Sequence, residues 1–344
     1  MTASALESPP ASLSTAAAEA LALDVYGLAA QARPLVSERD QNFHLRARDG
    51  AEYVLKITNA AEDPAVSEMQ TLALRHVAAA DPGAAVQRVV PTASGALSAV
   101  LPGPAGDQIV RLLTFLPGVM LHRAASTPAQ RRSLGAAHAR LTLALQGFSH
   151  PAQDHVLLWD LKQAPSLRRL LPFVGDAGRR ALAEAALDRF EARVAPILPG
   201  LPAQVVHNDL NPHNVVVDPD DTDRVCGILD FGDMVATPRV CDTAIAASYQ
   251  LAHGLEALCD YVAAYHAALP LAPAELETLY DLVAMRMATS VLISEWRAGR
   301  YPENAEYILR NHPAAVTGLE RLAHAGRAAF DAAVRAACAT ELRR

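Results

Sequence analysis

The densest group of polar side chains in this sequence runs His207-Asn208-Asp209-Leu210-Asn211-Pro212-His213-Asn214 and leads into Val215-Val216-Val217. A second short apolar run, sixteen residues beyond Asn214, ends at Asp230-Phe231-Gly232-Asp233. These residue types at this spacing suit phosphoryl transfer. One carboxylate must meet an acceptor hydroxyl, while another carboxylate and a second oxygen ligand hold Mg²⁺ against nucleotide phosphates. A tight loop carrying Asp209 and Asn214, followed by a hairpin that returns Asp230 beside them, brings the three groups to one place. The H-x-D-x-x-x-x-N string is a moderate signal alone; the hairpin and its terminal Asp-Phe-Gly make it specific. In the competing reading Asp209 caps a turn and Asp230 ends a surface strand, which makes the order and distance of two motif pieces a coincidence.

The elements that must position these residues fall into two textures. Residues 15–31 read as a helix, followed by strands over Pro34–Glu38, Phe43–Arg48 and Glu52–Ile57, the last two joined by the hairpin signal Asp49-Gly50. Asp63-Pro64 reads as an N-cap and first-turn proline, with Val66, Met69, Leu72 and Ala73 following at helical spacing. Two more strands, Gly95–Leu101 and Gln108–Phe115, end at Leu116-Pro117-Gly118. Beyond that point the pattern is helical: Pro128–Phe148, about 177–197, and several segments from Arg239 onward. The exception is the hairpin Val215–Asp218 and Cys226–Phe231. The expected architecture is α+β and bilobal. A loose tail spans 1–14, a small antiparallel-sheet N-lobe spans 15–116, and a larger helical C-lobe spans 117–344, with the catalytic loop at 207–214 and a metal-binding segment at 230–232.

Composition removes several function classes. The 344 residues are 51% hydrophobic and 19% charged, with a formal charge of -7 and no long basic run, so neither a nucleic-acid surface nor a membrane partner is expected. The uncharged stretch 89–106 is broken by prolines and glycines and cannot span a bilayer as a helix. Cys226, Cys241, Cys259 and Cys338 show no C-x-x-C spacing, which fits buried thiols in a reducing cytoplasm. The start of the chain has Glu7 and no basic n-region, unlike a secretory signal. Of 30 basic residues only Lys56 and Lys162 are lysine. Lys56 thus stands out as a compact ammonium retained on an apolar strand, where a point charge fits beside phosphates better than a guanidinium.

With Asp40-Gln41-Asn42-Phe43, Glu52 to Ile57, Arg111 to Gly118, His207 to Asn214 and Gly227 to Asp233 in view, the chain resembles the aminoglycoside phosphotransferase and choline kinase superfamily over roughly residues 20–300. Within it the strings are most similar to those of hydroxylysine kinases. The resemblance implies a protein-kinase-like fold and γ-phosphoryl transfer from ATP or GTP to a small-molecule hydroxyl. It implies that Asp209 is the catalytic base and that Asn214 and Asp230 are the Mg²⁺ ligands. Lys56 would pair with the α/β-phosphates, and Glu68, on the following helix, would hold Lys56. The Thr114 carbonyl and Leu116 amide would meet the adenine, with Leu113 as gatekeeper.

One departure concerns the loop between the first two strands, 37–42, which has no glycine; Asn42 or nearby amides are then the candidates for phosphate contact, with a simple turn as the alternative. His207 is expected to support the catalytic loop, and Asp242 to brace it. An amino-alcohol acceptor such as 5-hydroxylysine needs carboxylates for its ammonium groups and a cation for its carboxylate. The candidates are Asp233, Tyr249, Arg286, Glu295 and Trp296. Homoserine, choline, ethanolamine and aminoglycosides are the alternative acceptors, and a non-catalytic nucleotide-binding pseudokinase is the alternative of a different class.

Overall fold

The computed structural model describes residues 12–37, 39–103 and 106–342. Residues 1–11 of the expected tail, and Glu38 at the end of the first expected strand, lie outside the described residues. Contacts divide the chain into two units. One holds the residues up to Pro117 with Phe148–Val156 and Gly227–Gly232; the other holds Gly118–Gly147, Leu157–Cys226 and the chain from Asp233 onward.

The smaller unit opens on α1 (Thr15–Tyr26), capped by the Ser14 hydroxyl. The helix stops five residues before the expected end because Gly27 takes a left-handed conformation (φ 66°) and its amide folds back on the Ala22 and Leu23 carbonyls. Leu13 is already held: its N–H donates to Gln41 Oε1 at 2.7 Å and its carbonyl accepts from Gln41 Nε2 at 2.8 Å. Six strands follow: β1 (Ala30–Leu35), β2 (Gln41–Ala47), β3 (Glu52–Ile57), β4 (Val89–Val90), β5 (Ala99–Leu101) and β6 (Gln108–Thr114). They form an antiparallel sheet in the order β1-β2-β3-β6-β4, with β5 also on β6. Pro34 is tolerated because β1 is an edge strand.

Strand alternation decides what this sheet can do. Phe43, Leu45, Leu55, Ile57, Val110 and Leu112 pack with Ala18 and Ala22 of α1 into one core. Lys56, between Leu55 and Ile57, must then point to the opposite face, where register puts Asn42 on one side of it and Arg111 on the other. α2 (Pro64–Ala80) begins as expected, with Asp63 accepting from the Ala65 amide and Pro64 in the first turn. It buries Ser67, Met69, Gln70, Thr71, Ala73, Leu74 and Val77, a face that leaves Glu68 outside.

In the larger unit, β7 (Val119–Met120) leads to α3 (Pro128–Ala144), capped by Thr127, and to a run of 3-10 turns over Leu161–Phe173. Helix α4 (Ala177–Arg189) passes into a π-helical turn at Phe190–Val194. Next come β8 (Ala203–Val206) and β9 (Val215–Val217), and β10 (Val225–Ile228), which carries the chain back to the smaller unit at Gly227. β9 pairs with β7, and β8 pairs antiparallel with β11 (Val235–Pro238); β7, β8 and β11 are too short to show a period in the sequence. Five helices complete the unit: α5 (Arg239–Gln250), α6 (Leu255–Ala268), α7 (Pro273–Arg300), α8 (Ala305–Ile308) and α9 (His312–Glu341). Gly135 of α3 lets α6 come close, since a Cβ there would lie 2.3 Å from the Tyr261 carbonyl oxygen. Among the described residues no helix is long and apolar enough to cross a membrane.

Candidate active site

In the smaller unit the Lys56 side chain is only 12% exposed and its Nζ lies 3.0 Å from Asp40 Oδ2 and 3.3 Å from Asp230 Oδ1. Burial opposes the ammonium charge, but Asp230 and Asp40 outweigh it and hold the pKa above the ordinary lysine value. Burial also opposes the Asp40 charge, and Lys56 and Arg39 reverse that, holding its carboxyl below the usual range. Asp40 is fixed by accepting from the Asn59 amide at 3.2 Å. Asp230 sits at φ 56° and accepts from Gly232 N–H at 3.2 Å, which turns the chain back on its own carboxylate.

Glu68 is not the partner of Lys56. Its side chain is 66% exposed and its carboxylate lies 3.5 Å from His150. The helix is joined to the sheet through Arg111 instead: Nη2 donates to Gln70 Oε1 at 2.8 Å and Nη1 to the Ser67 carbonyl at 3.2 Å. Gln70 in turn donates to the Gly232 carbonyl at 3.4 Å. Asn42, beside Lys56, has its Oδ1 buried with no hydrogen-bond partner among the described residues. At the end of β6 the Thr114 carbonyl accepts from Gln87 Nε2 at 3.0 Å, which leaves one lone pair, while the Leu116 amide has no partner among the described residues. Leu113 is buried.

In the larger unit everything centres on Asp209. Its Oδ2 accepts from Asn211 Nδ2 and Asn214 Nδ2, both at 2.8 Å, and its Oδ1 accepts from Arg286 Nη2 at 3.1 Å. The Asp209 amide donates to His207 Nδ1 at 3.2 Å. The preceding residue, Asn208, is held at φ 63° because its amide donates to Asp242 Oδ1 at 2.9 Å. Among the described residues Asn208 and Asp230 are the two non-glycine positions with positive φ, and each belongs to a motif singled out for chemistry. Asp242 is itself fixed, with Oδ2 2.9 Å from His138 Nε2, and His138 Nδ1 is 2.5 Å from the Tyr261 hydroxyl. His207, the residue after β8, and Asp242, on α5, thus hold the backbone of the loop. His213 packs its ring 4.1 Å from that of His122, and burial, with His122 adding to it, pushes its pKa down to about 4.

The acceptor candidates separate into two groups. Tyr249 and Arg286 come to Asp209: Arg286 Nη2 also donates to the Tyr249 hydroxyl at 3.1 Å, and Asp233, 8% exposed, acts on the Arg286 charge. Glu295 does not join them. Its carboxylate accepts from the Gly175 amide and Arg179 and lies 2.9 Å from His312. It sits nine residues beyond Arg286 on α7, ~14 Å along the axis at about 1.5 Å per residue. Trp296, half-buried, is one residue further. Trp159, missed in the sequence, lies over the Arg286 guanidinium with its ring centroid 5.1 Å away. Asp40, Arg111 and Asn211 were given no role either, although each lay inside one of the quoted strings. Lys162, without a role in the sequence, donates to the Ala236 carbonyl and lies 3.5 Å from Asp160.

A sheet that presents a buried lysine to an Asp-Phe-Gly aspartate, and a helical unit that aims an aspartate from an H-N-D loop, define a kinase of protein-kinase-like α+β fold acting on a small molecule. The sequence matches the phosphotransferase enzyme family over residues 31–279, and the chain belongs to that family. It is similar to the hydroxylysine kinase of Danio rerio, 30% identical over 319 residues that span 88% of this chain and 89% of the relative. The hydroxylysine kinase of Bos taurus is 30% identical over 348 residues, 93% of this chain and 92% of its own. Among solved structures, a microcompartment-associated aminopropanol kinase shares the fold with a TM-score of 0.66 at 18% identity, covering 94% of this chain and 97% of that one. An AMP-bound spectinomycin phosphotransferase does so with a TM-score of 0.65 at 12% identity, covering 92% and 100%.

The Asp242 brace sets a pH dependence. Burial opposes its charge, but His138 and the hydrogen bonds it receives prevail and lower its pKa. A carboxyl lowered in the folded state contributes stability that is complete above the unfolded value of about 3.9 and is lost as pH falls through the folded value. Asp242→Asn is expected to cost about 2 kcal/mol at pH 7. In urea titrations compared with the wild type, the difference should shrink below about pH 4; a difference independent of pH would contradict the assignment.

Proposed function

We propose that this kinase transfers the γ-phosphoryl group of ATP, or GTP, to the hydroxyl of a small amino compound of the hydroxylysine type. The observation that carries the reading is the Asp209 carboxylate, held at both oxygens by Asn211, Asn214 and Arg286 and backed by the Asp242 brace. A base placed this way accepts the proton of an attacking hydroxyl without having to search for its orientation. The hydroxylysine kinases at 30% identity over most of both chains support the choice of acceptor.

Lys56 is assigned to the α/β-phosphates, with Asp40 keeping it charged and aimed. The Thr114 carbonyl and Leu116 amide are assigned to the adenine edge. The donor chemistry fits Mg²⁺. Asn214 commits its NH₂ group to Asp209, which leaves its amide oxygen as the atom to donate to a metal, and Asp230 is a half-exposed carboxylate. Hard oxygen donors of this kind, few in number, suit Mg²⁺ that shares its coordination with phosphates. When bound, Mg²⁺ neutralises charge on the phosphate oxygens. Asp209 then takes the proton at its carboxylate, and Lys56 balances the charge of the departing diphosphate.

Two experiments test the reading. Nucleoside diphosphate release is measured with ATP and with GTP against 5-hydroxylysine, homoserine, choline, ethanolamine and kanamycin. 5-Hydroxylysine is expected to give the highest kcat/KM, and a preference for kanamycin would overturn the assignment, as would binding of nucleotide without turnover of any acceptor. In the second, Asp40→Asn is expected to raise the nucleotide KM roughly 10-fold, about 1.4 kcal/mol, while Glu68→Gln leaves it unchanged. The reverse order would restore Glu68 as the partner of Lys56.

A further inference from the structure

The Arg286 guanidinium is buried beside the catalytic carboxylate, and most of its donor capacity is unused. The residue is 2% exposed. Nη2 serves Asp209 and Tyr249, whereas Nε and Nη1 are buried with no hydrogen-bond partner among the described residues. Trp159 and Tyr249 lie over the group with ring centroids 5.1 and 5.9 Å away. Aromatic faces attract a cation but do not take up its in-plane N–H groups. Buried donors in folded proteins are nearly always paired, so bare ones at a reaction centre mark the place of a missing acceptor. The acceptor that matches a planar, permanently charged fork is a carboxylate.

We propose that Arg286 binds a carboxylate of the phosphoryl acceptor, which makes the substrate a free hydroxy amino acid and not a plain amino alcohol. The inference rests on the reading of Asp209 as the base. A carboxylate held by Nη1 or Nε at about 2.9 Å is separated from Asp209 by little more than the width of one guanidinium. The hydroxyl and the carboxylate of the substrate are therefore carried a few bonds apart. Trp159 and Tyr249, each half-buried, lie over the same guanidinium that such a carboxylate must reach. A hydroxylated residue inside a peptide, whose carboxylate is spent in an amide, fails this requirement.

The test separates recognition of the carboxylate from mere positioning of Asp209. kcat/KM is measured for 5-hydroxylysine and for its carboxamide in the wild type, Arg286→Gln and Arg286→Lys. The wild type is expected to favour the free acid by roughly 10- to 100-fold, Arg286→Gln to bring the ratio near one, and Arg286→Lys to recover part of it through KM. If Arg286→Gln slows both acceptors equally, Arg286 acts only through Asp209 and the proposal falls. Since the variant removes a buried charge and its fold is at risk, a second measurement uses the wild type alone. Lysine, which lacks the hydroxyl, is expected to inhibit competitively at least about 10-fold better than cadaverine, which lacks the carboxylate as well. Equal inhibition by the two overturns the proposal. Turnover of the carboxamide but not the acid overturns it and leaves the kinase reading standing; turnover of neither overturns both.

Discussion

The hold on the Asp209 carboxylate is the constraint on which the larger unit depends: a carboxylate assigned as a base must be charged, aimed and open to its substrate. Three donors hold its two oxygens, from Asn211 and Asn214 within the loop and from Arg286 on α7. The loop can present those donors because Asn208 accepts a left-handed backbone, and it does so because Asp242 receives its amide. Asp242 is fixed by His138 on α3, and His138 by Tyr261 on α6. Gly135 allows α3 and α6 to approach closely enough for that chain of contacts. Helix packing thus reaches the Asp209 loop through three side chains, Tyr261, His138 and Asp242, and the Asn208 amide.

The smaller unit meets a different constraint, the cost of buried cations. Register places Lys56 and Arg111 side by side on one face of the sheet, and burial penalises both charges. Asp40 and Asp230 answer the ammonium, while Gln70 and the Ser67 carbonyl answer the guanidinium. This division explains why the ion pair expected between Lys56 and α2 is absent. Arg111 occupies the helix-facing direction, and Lys56 is paired from the loop before β2 and from the Asp-Phe-Gly turn. The retention of the two lysines also acquires a physical reason. Both lysines sit where a compact ammonium fits between close oxygen groups, Lys56 between two carboxylates and Lys162 between Asp160 and the Ala236 carbonyl.

Much of this was legible in the sequence, and what was missed has an identifiable cause. The short apolar run Glu52–Ile57 located Lys56 on its strand, and the Asp63-Pro64 and Asp49-Gly50 signals located α2 and the β2–β3 hairpin, because each is a local preference that folding leaves intact. The H-N-D loop and Asp-Phe-Gly turn were readable because their spacing is fixed by chemistry. Asp40, Arg111 and Trp159 were not readable, since each acquires its partner from a distant segment. Glu68 was misassigned because spacing along a helix does not say which face the sheet covers. β8 and β11, four residues each, are too short to announce a period, yet β8 leads directly into the 207–214 loop and β11 pairs with β8.

The central claim, that Asp209 drives transfer of a phosphoryl group to a small hydroxyl acceptor, is tested most directly at the product. Phosphorus NMR of a reaction containing nucleotide, Mg²⁺ and 5-hydroxylysine should show one new phosphomonoester resonance growing in step with nucleoside diphosphate. Asp209→Asn should slow its appearance by roughly 10²- to 10⁴-fold with the circular dichroism spectrum unchanged. A phosphomonoester formed at the wild-type rate by the folded variant, or nucleotide hydrolysis with no phosphorylated acceptor in the wild type, would contradict the account.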